Sequence, residues 1–303
     1  MQQGSSSMLS EDQSTNVPWL LSIMRRHPLW CYFLIAYIIT WSIGFTYILL
    51  LHHAALPLWF AVLLCLGPTG SSFIMTAAID GRAGIGKLLR RYIRWRVGAF
   101  WYLLVFVGIP LLLVLVPMLM AGSISALLSG LPLYPITYIG VFFLGGPFLE
   151  EPGWRGFALP RLQQRLGPLR GSLLLGVLWG FWHLPLFFIP GYNGAGSGFV
   201  GISTAMLTFI VATSALSIVF AWVSNRTGGS LFLVMLLHAS INSSGSLAPA
   251  FANTLVNQIM TYIILFVFTL IIIIATRGRL SYDRYLRETE PSLPDSPALD
   301  RLI

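Results

Sequence analysis

Hydrophobic residues fall into long runs along this chain, and polar residues collect in the short stretches between them. The runs cover residues 29–51, 55–79, 99–121, 135–157, 169–189, 201–223, 229–248 and 255–276. Each is close to the ~20 residues that an α-helix needs to cross the hydrocarbon layer. The pattern predicts an all-α, polytopic membrane bundle of about eight transmembrane helices. No internal period of the kind that marks solenoids or propellers is evident.

The basic residues support this count. Arg25 and Arg26 precede the first run, and Arg82, Lys87, Arg90, Arg91, Arg94 and Arg96 lie between the second and third. Arg155, Arg161, Arg165 and Arg170 surround the junction of the fourth and fifth, and Arg226 separates the sixth and seventh. Arg277, Arg279, Arg284, Arg287 and Arg301 follow the eighth. With eight spans, all 18 fall on one side of the membrane. The positive-inside rule then puts both termini in the cytoplasm. Residues 25–280 form one membrane domain, with its motifs at about 136–245, between a disordered Ser-rich tail at 1–24 and a cytoplasmic tail at 281–303. Within 81–98, Leu88, Leu89, Tyr92, Ile93 and Trp95 interleave with the cations. This predicts a helix lying in the interface, with Arg turned to anionic headgroups. Residues 161–170 read as a similar, shorter segment, and the Gly-rich stretch 191–198 as a flexible outer loop.

Composition agrees with the pattern. The chain is 56% hydrophobic and 9% charged, against about 25% charged in soluble domains. The net charge of +8 is therefore a topology signal, and no nucleic-acid partner is expected. Cys31 and Cys65 both sit inside apolar runs and read as small buried hydrophobes; no zinc-type cysteine spacing occurs.

Against this background Glu150 and Glu151 stand out. Between Gly81 and Tyr282 the chain has no other Asp or Glu. A charge at the centre of a bilayer costs roughly 2.5–3.5 kcal/mol on insertion scales, so intramembrane acids are functional candidates. Other polar residues lie in nearby runs: Arg155 in the fourth, His183 in the fifth, His238 and Asn242 in the seventh. His27, His52 and His53 sit at or outside the ends of runs. At 1.5 Å per residue, Glu150 lies roughly 15 Å, His183 roughly 21 Å and His238 roughly 14 Å from the cytoplasmic ends of their runs. One layer in the cytoplasmic half can hold all three.

Glu151 and Arg155 are i,i+4 neighbours and predict an ion pair. Glu150 points about 100° away on an ideal helix and is left to face His183 and His238. Pro147 and Pro152 free backbone carbonyls, and Gly145 and Gly146 add slack, as suits a hydrated pocket. A carboxylate in a low-dielectric site is a competent base toward water. Two histidines shuttle protons or ligate Zn²⁺, and an Asn amide donates to an oxyanion. These are parts for peptide-bond hydrolysis. The letters exclude other intramembrane chemistries: there is no His-Glu-x-x-His and no Gly-x-Ser-x-Gly, and Asp80 is the only Asp near the runs.

Glu150-Glu151-Pro152-Gly153-Trp154-Arg155, then Trp179 to His183, then His238 to Asn242, on successive hydrophobic spans, resembles the CPBP family. This is the CAAX protease and bacteriocin-processing family of intramembrane endopeptidases, also called Abi, and it includes the type II CAAX prenyl endopeptidases. Trp179 stands where many members have Phe. The resemblance implies an eight-helix fold in the plasma membrane, with a site open to the cytoplasm and a membrane-anchored protein or peptide as substrate. It implies Glu150 as base, His183 as partner in water activation, and His238 and Asn242 in oxyanion stabilisation or metal binding. Glu151 and Arg155 would hold the site in shape. A metalloprotease reading uses His183, His238 and Glu150 around Zn²⁺; a metal-free reading uses the same side chains. Two further readings are a non-catalytic immunity or scaffolding protein and a proton-coupled transporter.

Overall fold

The computed structural model describes residues 19–51, 57–121, 124, 129–189, 198–249 and 255–289. The expected Ser-rich stretch 1–18 and most of the Gly-rich stretch 191–198 lie outside these residues. The described chain is helical, without strands among the described residues. In order, α1 is Trp19–Arg26, α2 Pro28–Leu51, α3 Leu58–Tyr92, α4 Ala99–Leu103 and α5 Ile109–Ala121. Next come α6 (Tyr134–Leu144), α7 (Pro147–Glu151), α8 (Leu159–Leu166) and α9 (Pro168–Trp182). The chain closes with α10 (Gly198–Arg226), α11 (Leu231–Ser243), α12 (Leu255–Thr276) and α13 (Tyr282–Thr289).

Among the described residues, five helices are long and apolar enough to cross a membrane: Pro28–Leu50, Trp59–Tyr92, Pro168–Phe188, Gly198–Arg226 and Val256–Thr276. Ala99–Leu115 and Leu231–Leu247 are shorter apolar helices. The fourth run departs from the expectation of one spanning helix. It breaks at Gly145–Gly146, where Gly146 has φ +106°, and restarts as α7. At Pro152 it widens into a π-helical turn, Pro152–Ala158, whose end is marked by the Leu159 N–H bonding the Trp154 carbonyl. Proline removes the donor that an α-turn needs there, and π-turns of this kind collect at functional sites.

The 81–98 segment also differs from its expectation. Its helix runs only to Tyr92, and it joins α3 across a kink at Gly81 (φ 61°). Arg91 turns inward instead of outward. Its Nε donates to the Gly229 carbonyl at 2.8 Å, Nη1 to Gly156 at 2.7 Å and Nη2 to Arg155 at 2.9 Å. Residues 282–289, read as the start of a tail, form α13, held beneath α10 by Asn225 Nδ2 donating to the Leu280 carbonyl at 3.0 Å.

Close packing fixes the helices around the acids. On α9, Gly176 and Gly180 form a small-x-x-x-small face of the kind that lets membrane helices approach. A Cβ on Gly176 would run into the Ser214 backbone, and one on Gly180 would lie 2.9 Å from Ile210 Cα. The Thr213 hydroxyl donates across this seam to the Gly176 carbonyl at 3.1 Å. On the other side, α2 holds the C-terminal end of α9: Tyr37 Oη donates to the Leu178 carbonyl at 2.5 Å and Trp41 Nε1 to the Trp182 carbonyl at 3.0 Å. Ser230 caps α11 by accepting from the Leu233 N–H at 3.1 Å, and its hydroxyl donates to the Arg94 carbonyl at 2.6 Å.

Candidate active site

The break at Gly146 sets the position of Glu150. The Gly146 carbonyl accepts the N–H groups of Leu149 and Glu150, at 2.9 and 2.7 Å. Glu150 Oε1 folds back into the space where a Cβ on Gly146 would stand. Only glycine provides both that space and the positive φ. Glu150 is 4% exposed. Its Oε2 accepts a hydrogen bond from Trp179 Nε1 at 2.8 Å, and the Cys65 thiol lies 3.7 Å from Oε1. Cys65 is therefore more than the plain hydrophobe its position in an apolar run suggested.

Glu151 takes a different set of partners. Its Oε1 accepts from Arg155 Nη1 at 2.9 Å and from His238 Nδ1 at 2.7 Å. His238 is held by Glu151, a partner that helix spacing did not point to, while Glu150 and His238 line the same cavity. Glu151 and Arg155 are both 0% exposed. The guanidinium lies between two rings, with its carbon 4.3 Å from the centroid of Trp179 and 4.3 Å from that of Phe220. Burying an ion pair is costly unless its partners are close and well oriented. Here a local i,i+4 bond, an imidazole and two aromatic faces supply that.

His183 ends α9. Its backbone N–H bonds the Gly180 carbonyl at 3.1 Å. Nδ1 lies 2.9 Å from the Trp179 carbonyl. A carbonyl only accepts, so Nδ1 carries the proton and Nε2 keeps its lone pair. The same logic at His238 puts a proton on Nδ1, against the Glu151 carboxylate. Trp179 thus touches four of the site residues. Its indole donates to Glu150, its carbonyl orients His183, its ring covers Arg155 and it meets the His238 ring edge-on at 5.4 Å. From sequence it was an aromatic motif position without a role. Its contacts are all between helices except the one to His183, so no local spacing announces them.

Glu150, Trp179, His183, His238 and Asn242 line one cavity of about 520 Å³, which Leu113 and Phe268 help to close. The remaining walls are mostly apolar. Glu151 and Arg155 lie behind this surface. Among the described residues, no three His, Cys, Asp or Glu side chains gather at metal-ligand spacing. Each histidine has its Nδ1 proton on an oxygen, an orientation that a metal-binding histidine also uses; the spacing is what fails. The set Glu150, His183 and His238, expected for a Zn²⁺ reading, does not converge here as a ligand triad.

Residues 131–244 match the family model of the type II CAAX prenyl endopeptidase Rce1-like proteins. The chain is also similar to CAAX prenyl protease 2 of Methanococcus maripaludis, at 29% identity over 151 residues, which is 48% of this chain and 55% of that protein. The alignment thus spans about half the length of the relative. The matched segment begins before α6 and ends just after α11, so it contains Glu150, His183, His238 and Asn242. The segment that carries Glu150, His183, His238 and Asn242 is the segment similar to the Rce1-like type II CAAX prenyl endopeptidases, the resemblance that the three motifs carried.

Proposed function

We propose that this protein is an intramembrane endopeptidase that cleaves near the C-terminus of a membrane-attached, prenylated protein or peptide. We place it as a multi-pass protein of the cell's inner (plasma) membrane, with its cavity open to the cytoplasmic side, where the positive-inside rule puts its basic residues. The observation that carries this reading is that Glu150 and His183 line one cavity. Each has one polar atom already held by Trp179; His183 keeps Nε2 as an acceptor, and Glu150 keeps Oε1, whose other neighbour is the Cys65 thiol at 3.7 Å.

Two acceptors facing one water take both its protons and leave an oxygen lone pair aimed at the substrate. Glu150 accepts a proton as the water oxygen bonds to the peptide carbonyl carbon. The carbonyl electrons move onto the oxygen, which meets the Asn242 amide, and His238 Nε2 when that nitrogen also carries a proton. Glu150 then delivers its proton to the peptide nitrogen as the C–N bond breaks. No metal enters these steps.

The test is cleavage of a prenylated, C-terminally extended peptide by the purified protein in nanodiscs, with and without a strong zinc chelator. The expected result is a product with one water added across one peptide bond, formed at the same rate in chelator. Loss of cleavage in chelator, restored by added Zn²⁺, would overturn the metal-free reading. An inert wild-type protein that binds the peptide intact would favour a non-catalytic role.

Trp179→Phe tests the positioning of the base. Phenylalanine keeps a ring over Arg155 and the backbone carbonyl that holds His183, but loses the indole donor. A hydrogen bond to a charged group contributes about 1.5–3 kcal/mol, so kcat should fall roughly ten- to a hundredfold. KM should change little, because the indole nitrogen faces Glu150 and not the bound peptide. A variant with wild-type kcat would mean that Glu150 is positioned by its backbone alone.

A further inference from the structure

A second cavity, of about 820 Å³, opens on the face that carries the basic residues. Lys87, Arg90, Arg91, Arg94, Arg96 and Arg161 line it, against two carboxylates, Asp80 and Glu288. Both carboxylates are already committed. Asp80 pairs with Arg161 at 3.2 Å, and Glu288 pairs with Arg94 at 3.4 Å and Arg284 at 2.6 Å. Lys87, Arg90 and Arg96 form no ion pair among the described residues. The cleft therefore holds unneutralised positive charge.

Its surroundings indicate where the missing anion comes from. Leu89, Ile93 and Trp95 belong to the same stretch and are 47%, 72% and 58% exposed. The Arg96 guanidinium lies 5.3 Å from the Trp95 ring centroid. Exposed apolar side chains interleaved with cations mark a segment lying at a membrane surface, where anionic headgroups attract Lys and Arg. A soluble phosphate would use the charges and leave the apolar side chains without a partner.

We propose that this cleft binds the phosphate of an anionic phospholipid, held by Lys87, Arg90 and Arg96, with its acyl chains along Ile93 and Trp95. Arg91 links this cleft to the turn behind the first cavity. Arg91 lines the cleft and its guanidinium grips the Arg155 and Gly156 carbonyls in the π-helical turn. Charge bound beside Arg91 therefore acts on the turn that carries Arg155. This coupling rests on the catalytic reading of Glu150; the lipid site itself does not.

The test compares the full chain with Lys87→Gln/Arg90→Gln/Arg96→Gln, each in nanodiscs of phosphatidylcholine with or without phosphatidylglycerol. Retained lipid is counted after transfer to detergent, and the unfolding midpoint is followed in the discs. The wild type should retain phosphatidylglycerol and unfold at a higher temperature in its presence. Each removed charge should weaken that preference about fivefold, roughly a hundredfold for all three. Equal retention by the variant would overturn the site. So would inorganic phosphate, added to phosphatidylcholine discs, raising the midpoint as phosphatidylglycerol does, since the ligand would then be a free anion. The same discs carry the prenylated peptide. Cleavage by the wild type should rise with phosphatidylglycerol, and cleavage by the variant should not. If the variant loses the lipid but its cleavage still responds, the coupling falls and the site stands. If the wild type cleaves in neither lipid, the endopeptidase reading falls while the lipid counts still decide the site.

Discussion

Glu150→Gln is expected to lower turnover of the membrane peptide by about 10²–10⁴-fold, the usual contribution of a positioned general base. The fold should survive. Glutamine keeps an oxygen to accept the Trp179 indole proton, and it fits the space over Gly146 that the carboxylate fills. What it loses is the ability to take a proton from water. The informative measurement is the single-turnover rate beside the unfolding midpoint: a collapsed rate with an unchanged midpoint assigns the base. A Gln variant that turns over normally would remove Glu150 from that role and leave the cavity as a binding site.

The second large effect concerns Glu151 and Arg155, and it falls on folding. Glu151→Leu leaves the Arg155 guanidinium buried without its carboxylate, a change that costs about 3–5 kcal/mol. Adding Arg155→Met removes the orphaned charge. Replacing a whole buried pair by apolar residues of similar size is often neutral or stabilising, so the double variant should return to within about 1 kcal/mol of wild type. Denaturant unfolding in micelles reads both. Activity should not return with stability, because His238 Nδ1 has lost the oxygen that orients it. Recovery of cleavage in the double variant would make Glu151 a structural residue only.

The site was legible in the sequence to the extent that its residues are anomalies within apolar runs. Glu150, Glu151, Arg155, His183, His238 and Asn242 are polar letters where hydrocarbon is expected. The Glu151–Arg155 pair is local, so i,i+4 spacing points to it. The remaining contacts cross between helices, and nothing in their spacing encodes them. Glu151 reaches His238 over 87 positions and Trp179 reaches Glu150 over 29. Cys65 reads as one more apolar residue until α3 places it against Glu150. Arg91 sits in a run of cations that reads as turned toward anionic headgroups, and only the fold turns it toward three carbonyls. The helical class and most of the hydrophobic runs were readable from run length. The fourth run was not, because hydropathy is blind to the positive φ at Gly146 and to the π-turn after Pro152.

The seam between α9 and α10 has a mechanical consequence. Gly176 and Gly180 bring the two backbones close together, and the Thr213 hydroxyl between them is pinned by its hydrogen bond to the Gly176 carbonyl. The His183 side of the cavity therefore behaves as a fixed wall. The facing side is built differently: Tyr262, Leu265 and Phe268 of α12 and Leu112 and Leu113 of α5 meet through long, rotatable side chains. Any widening of the cavity therefore falls to the α12 and α5 side, where rotatable side chains meet, and not to the α9–α10 seam.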